Sequence, residues 1–379
     1  MALSPELLTL ILLAELPGIG PVRLRKLLER YPGPTAAWQG SWSEWKVCQM
    51  PFSAWQAKQN LDWEQQCRQL AEELDNHGVG VITFKQGSYP ELLRQTATPP
   101  VALFYQGNLE LLTKGFPLAL VGTRRASQEG LDLAFRFGFE LAEDGLTVVS
   151  GLAIGIDGSA HRGALEAQGA TVAVLGGGLG CIYPSRHRNL AHQIVEKGGL
   201  LLSEYRPTHP AIAPQFKARN RIIAGLGKGV LVVEAPARSG ALITAEFALN
   251  EGREVFVLPG SVANSNWTGS NRLLREGAKL VLEVADIYEE FQQLSLTDGN
   301  REQISFVPEE ARLLQTIHSS ICSLDDLPER ADLSWGETVY YLSQLQLRKL
   351  VVVSTDGQVR PGPLWSKVIA GLQKDGWSL

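Results

Sequence analysis

Arg124 and Arg125 stand side by side directly after Gly122 and Thr123, and Ser127 follows them at the head of an amphipathic stretch over Gln128–Glu143. An apolar run, residues 118–121, precedes them. The pattern reads as strand, tight turn and helix, with Ser127 as the N-cap. The free N–H groups and partial positive charge of a helix start attract anions, and guanidiniums beside them suit phosphate. Cations at a helix N-terminus oppose the helix dipole, an arrangement that makes sense where an anion is bound between them. The chemistry expected here is the gripping of a phosphate backbone.

The same theme recurs downstream. Apolar runs at 146–150, 171–175, 199–203, 229–234 and 254–258 each lead into a loop with glycine, serine or basic residues. The first of these loops carries Ser150, Gly151, Gly155 and Asp157. The next has Gly176 and Gly178 and leads to Tyr183, Arg186 and Asn189. Beyond the following strand come Phe216, Lys217, Arg219, Asn220 and Arg221, and then Ser239, Gly240 and Thr244. Runs that are apolar throughout fit strands covered on both faces, and helical patterns separate them. The fold expected is therefore α/β, a Rossmann-like, doubly wound and mostly parallel sheet. Such sheets bind ligands outside the carboxyl ends of their strands, which would gather these loops on one rim. Arg124, Arg125, Arg186, Lys217, Arg219 and Arg221 would ring it, and Tyr183 and Phe216 are candidates for stacking a base. Asp157 and His161 stand four apart on one helix face, where an acid–base pair is conceivable. No third partner is evident, so a hydrogen bond from helix to turn is preferred.

Other chemistries lack their residues. No Gly-x-Gly-x-x-Gly follows the first of these strands, and no Gly-x-x-x-x-Gly-Lys-Ser/Thr occurs, which disfavours a dinucleotide cofactor and a P-loop. Cys48, Cys67, Cys181 and Cys322 are scattered without metal-ligand spacing, so neither a disulfide framework nor a metal is expected. The chain of 379 residues carries a net charge of −5, which excludes a globally basic binder but leaves room for a local basic cleft. The apolar run near the N-terminus is too short to span a membrane, so a soluble cytoplasmic protein without a cofactor is expected.

The succession Val121-Gly122-Thr123-Arg124, Ser150-Gly151-Leu152-Ala153-x-Gly155-Ile156-Asp157, Ala160-His161, Tyr183-Pro184, Ser203-Glu204, Arg219-Asn220-Arg221-Ile222, Val233-Glu234-Ala235, Ser239-Gly240-x-x-Ile243-Thr244 and Leu258-Pro259-Gly260 resembles the DNA-processing protein A (DprA, also called Smf) family. The motifs cover residues 118–282. The resemblance implies a Rossmann-like domain that binds single-stranded DNA, works as a homodimer through that domain and loads the RecA recombinase during natural transformation, without being an enzyme. The chain departs from the family where a proline usually follows the phenylalanine, since Phe216 is followed by Lys217. Ser239-Gly240 with Thr244-Ala245-Glu246 partly resembles Rossmann-like nucleoside-monophosphate phosphoribohydrolases (the LOG family), and that hydrolase is the alternative.

The flanks imply further modules. Residues 1–80 read as a small helical domain, SAM-like, with a Trp-rich core. Its Gly18 and Gly20, followed by Arg23, Arg25 and Lys26, look like the hairpin of helix-hairpin-helix DNA-binding modules. Residues 81–290 form the strand-binding domain, 291–307 a polar linker, and 308–379 a winged-helix-like module. That module has nine acids against seven bases and a third helix poor in cations, so a protein-contact role is expected for it.

Overall fold

The structure, a computed structural model, describes residues 3–295, 306–319, 322–348, 350–353 and 357–361. It divides into two compact units, residues 1–282 and 283–379.

The first unit is built on nine strands: β1 (Gly80–Thr83), β2 (Ala102–Gly107), β3 (Phe116–Val121), β4 (Leu146–Ser150), β5 (Thr171–Leu175), β6 (Leu200–Ser203), β7 (Gly229–Val232), β8 (Glu254–Val257) and β9 (Lys279–Leu280). Their spatial order is β1-β2-β6-β5-β4-β3-β7-β8-β9. From β6 to β9 all neighbours run parallel, while β2 pairs antiparallel with both β6 and β1. All six strands read from the apolar runs are present. The apolar segments near 81–84 and 102–105 add an antiparallel edge as β1 and β2, and the short β9 carries no comparable apolar run.

From β3 the chain builds β4 to β6 on one side and returns to place β7 to β9 on the other. The reversal leaves a crevice beyond the carboxyl ends of β3 and β7, the position where open α/β sheets hold ligands. Helices cover both faces, which is why Val148, Val149, Val172, Val174, Val230 and Val232 are all buried along continuous apolar strands. The helix Gln128–Glu143 begins where Ser127 Oγ accepts from Gly130 N at 3.1 Å and buries Ala134, Phe137 and Leu141 against the sheet.

Helices Pro5–Glu15 and Pro21–Arg30 meet at a tight turn in which Ile19 N donates to Leu16 O at 3.0 Å. Trp45 is fully buried and donates its indole N–H to Ala37 O at 2.9 Å, so the tryptophan-rich segment makes core rather than surface. This core runs on into the sheet: Leu13, Leu24 and Leu74 cluster with Phe104, Leu175 and Leu201.

The second unit contains helices Val284–Ser295, Pro308–Ser319, Leu327–Ala331 and Trp335–Leu347. Strand Gln358–Pro361 pairs antiparallel with Cys322–Ser323 on one side and Val351–Val353 on the other. Helix Val284–Ser295 runs into the expected linker at 291–307; residues 296–305 of that linker, and 362–379 of the C-terminal module, lie outside the described residues. Among the described residues, no helix is long and apolar enough to cross a membrane.

Candidate nucleic-acid interface

A cleft of about 680 Å³ opens at the crevice between β3 and β7. The turn after β3 gives it Gly122, Thr123, Arg124 and Arg125; the loop after β4 gives Ala153 and Asp157; the loop after β7 gives Pro236, Arg238, Ser239, Gly240 and Thr244. Helix Ala213–Leu226 forms the remaining wall with Phe216, Lys217, Arg219 and Asn220. Five cations line it against a single carboxylate, that of Asp157. Arg124, Arg125, Lys217 and Arg238 are exposed and form no ion pair among the described residues. Concentrated in a concave site, such charge focuses a positive potential even in a chain of net negative charge.

Glu234 organises the rim from below. This residue is fully buried, and both carboxylate oxygens accept from Ser127 N at 3.1 Å while Ser127 Oγ donates at 2.8 Å. Its backbone carbonyl accepts from Thr123 N at 2.7 Å. Both ends of the 123–127 turn are thereby fastened to the end of β7. Gly130 is required by the contact, because a Cβ there would overlap the Glu234 carboxylate. The helix start expected to offer its N–H groups to phosphate is filled by an internal anion instead. Ser127 is an N-cap and an anchor, and the arginines of the turn stay exposed.

Arg219 forms the floor. It is 4% exposed and donates from Nη1 to Gly151 O at 2.7 Å and to Val174 O, and from Nε to Asn220 Oδ1 at 3.2 Å. A Cβ on Gly151 would fall 2.5 Å from Arg219 Nη1, so the guanidinium needs a glycine at that position. Burial pulls the Arg219 pKa down to about 10, and the nearby Asp157 carboxylate works against that shift. Asp157 is itself buried, accepting from Gly151 N at 3.2 Å and Ala153 N at 3.4 Å; burial pushes its pKa up and Arg219 opposes the rise. The expected hydrogen bond from helix to turn is present. Asp157 is a strut for the β4 loop and the counter-charge of Arg219, not a phosphate ligand. His161 turns away and shares a 2.7 Å hydrogen bond with Thr171 Oγ1.

Several expected rim residues lie elsewhere. Arg221 faces the other side of its helix and donates to both Glu204 oxygens, at 2.6 and 2.7 Å. Arg186 and Asn189 are exposed but do not line the cleft. Gly176 and Gly178 are buried, the first beneath Phe216, and so present no open amide. Ser150 is buried and donates to Leu120 O at 2.6 Å, and Gly155 lies inside the loop packing against Thr123 O. Of the two aromatics, Phe216 lies under the Arg124 guanidinium at 4.9 Å and its centroid is 5.5 Å from that of Tyr183. Tyr183, 53% exposed, is the ring a base can reach. Arg238 was missed by the motif reading, although it sits directly before Ser239-Gly240 at a strand exit, as Arg124 and Arg125 sit before Ser127.

The hairpin of residues 16–21 exists, but its cations are spent on protein acceptors. Arg23 donates to Gly18 O at 2.7 Å, Arg25 to Ala97 O at 3.3 Å and Lys26 to Gln49 Oε1 at 3.3 Å. Gly18 and Gly20 remain exposed.

The family model for DNA recombination-mediator protein A matches residues 80–292, the sheet and its loops. The chain belongs to the DNA recombination-mediator protein A family. Members of this family similar to it include protein Smf of Escherichia coli, 42% identical over 280 residues that make up 72% of this chain and 75% of that one. DNA processing protein DprA of Streptococcus pneumoniae is 45% identical over 205 residues, 54% of this chain and 71% of that one. The X-ray structure of S. pneumoniae DprA superposes with a TM-score of 0.65 at 34% identity, covering 76% of this chain and 99% of that one. The structure of DNA processing protein A from Helicobacter pylori, described for its unique single-stranded DNA binding mode, gives a TM-score of 0.51 at 28% identity over 57% of this chain and 96% of that one. The Rossmann-like reading and the family resemblance drawn from the motifs are both borne out.

Proposed function

We propose that the cleft binds the backbone of single-stranded DNA, and that the protein protects such strands and loads the RecA recombinase onto them during natural transformation or recombination. The observation that carries this reading is the convergence of Arg124, Arg125, Lys217 and Arg238, all exposed and without an ion pair among the described residues, at the switch point of the sheet. Phosphate gripping by such a set is weakly sequence-specific and salt-dependent. The single-stranded DNA binding described for the H. pylori relative supports the same assignment. RecA as a partner, a homodimer through the Rossmann-like domain and a cytoplasmic setting belong to the same proposal, and the family resemblance supports them. Residues 308–379 are read as a winged helix that contacts protein.

The hydrolase alternative lacks a free acid in the cleft itself. Glu234 is committed to Ser127 and Asp157 to the β4 loop, while Glu246 lines not the cleft but an adjoining hollow that shares Arg238 and Ser239 with it. The deciding experiment titrates single- and double-stranded oligonucleotides at two salt concentrations. Preference for the single strand, weakened by salt, is the expected result. Salt-independent binding, or release of free base from a nucleoside monophosphate, would overturn the reading.

A further inference from the structure

A second cavity, of about 840 Å³, lies between the N-terminal helices and the edge of the sheet. Its lining is apolar at Ile11, Leu24 and Phe104 and polar at Glu204, Tyr205, His209 and Arg221. The Tyr205 and His209 rings stack with centroids 5.1 Å apart and an interplanar angle of 18°. His209 is held in place by Gln215, whose Nε2 lies 2.6 Å from His209 Nε2. The cavity differs from the cationic cleft in charge. Its Arg221 is matched by Glu204, and its Arg206 by Glu15 and Glu73. A phosphate gains nothing from such a balanced set, whereas a flat, neutral heterocycle with donors and acceptors on its edge fits it well. Arg221 and Glu204 form a fixed pair on this lining, with Arg221 Nη2 donating to both Glu204 oxygens at 2.6 and 2.7 Å. The two cavities share a ridge: Ala211 and Ala213 line the cleft, and His209 and Pro210 line the second cavity.

We propose that this cavity is a nucleobase pocket. Tyr205 and the apolar part of the lining pack against a base, and Arg221 with Glu204 reads its edge. The base comes either from a strand that crosses the ridge out of the cleft, a source that rests on the strand-binding reading above, or from a free nucleoside. The helical hairpin region then works as a lid over a base rather than as a phosphate clamp.

The test uses the full chain and the variants Ala14→Trp and Tyr205→Leu. Ala14 is exposed on helix Pro5–Glu15 and faces the cavity, so a large side chain there blocks the pocket without entering a core. Wild type and variants are titrated with oligothymidine, with an abasic strand of equal length, and with thymidine alone. Stacking of one base predicts that the variants bind oligothymidine about tenfold more weakly than wild type while binding the abasic strand equally well. Saturable thymidine binding that Ala14→Trp abolishes, with oligothymidine affinity unchanged, assigns the pocket to a free nucleoside and also supports it. Equal affinities of all three proteins for both strands, together with no thymidine binding, overturn the proposal. So does an equal loss on both strands, which marks a general disturbance. If wild type binds neither strand, the cleft reading fails, and the thymidine titration still decides the pocket.

Discussion

The carboxylate of Glu234, buried at the end of β7, accepts both the N–H and the hydroxyl of Ser127, the cap of the helix that follows β3. An internal anion thus neutralises the helix start at the centre of the site. In the proposed binding mode the DNA strand meets the exposed guanidiniums of the turn, whose ends Glu234 fixes. Removing one partner of a buried charged hydrogen bond leaves the other unsatisfied and costs about 1–3 kcal/mol. Glu234→Ala should lower stability by that amount in chemical denaturation. At temperatures where the variant is fully folded it should also bind single-stranded DNA more weakly, because the turn is released. Wild-type stability in Glu234→Ala would show that the contact contributes nothing.

Arg124 and Arg219 share the cleft but not their task. Arg124→Ala removes an exposed cation, so it should cost about 1–3 kcal/mol of DNA binding and leave stability within about 0.5 kcal/mol of wild type. Arg219→Ala leaves the buried Gly151 and Val174 carbonyls without this donor and removes the positive charge near Asp157, so its main effect should be loss of stability, about 1–3 kcal/mol. Thermal denaturation and anisotropy titration of the two variants separate these outcomes. Equal stability losses in both would contradict the division into rim and floor.

Salt dependence counts the gripping cations. Single-stranded binding weakens with a slope of about −0.7 in log K against log salt for each phosphate neutralised. Arg124, Arg125, Lys217 and Arg238 together then predict a slope near −3, and Arg238→Ala or Lys217→Ala should each flatten it by about 0.7. Arg221→Ala, whose charge Glu204 already holds at 2.6 Å, should leave the slope unchanged. A flattening by Arg221→Ala as large as that by Lys217→Ala would restore Arg221 to the rim.

Lys58 makes stability depend on pH at the alkaline end. Its ammonium lies 4.0 Å from the Trp55 ring centroid, donates to Gly40 O at 3.2 Å and is 7% exposed. Burial pulls its pKa down to about 8 from 10.5. Between those values the unfolded chain holds the proton that the folded chain has released, so stability rises with pH across the window. The full rise is up to about 3 kcal/mol, and Lys58→Met should abolish this contribution. Denaturation midpoints measured from pH 7 to about 10.5 check it, and a flat wild-type profile would refute it.

Legibility in the sequence followed how local the cause was. β3 to β8 were legible because each is a short, continuously apolar run closed by a glycine or a polar turn. The segments of β1 and β2 have strand-like composition, but their place at the edge of the sheet was not legible, since Tyr89-Pro90 and Pro99-Pro100 lie between them and the pairing of β2 with β6 joins residues far apart in sequence. Within the site, Arg124, Arg125 and Lys217 were legible as cations at loops. That Arg219 turns inward while Arg221, two residues on, pairs across the helix with Glu204 depends on packing that no motif records. The filling of the helix start by Glu234 was hidden for the same reason: Ser127 and Glu234 stand 107 residues apart.

The second unit tests whether every DNA contact belongs to the sheet. In the proposed winged-helix reading, helix Trp335–Leu347 takes the place of a recognition helix, yet Trp335, Val339, Tyr340 and Leu347 are its exposed large side chains, at 51, 40, 59 and 77%. Its sequence contains neither arginine nor lysine, whereas a base-reading helix brings such residues to the groove. Residues 308–379 also carry more acids than bases, so they should repel a polyanion rather than hold it. Truncation before residue 308 should therefore change single-stranded DNA affinity by less than about twofold and leave the salt slope at its full-length value. A tenfold loss of affinity, or a shallower slope, would show that this unit takes up phosphates itself, and the apolar face of helix Trp335–Leu347 would then need another explanation.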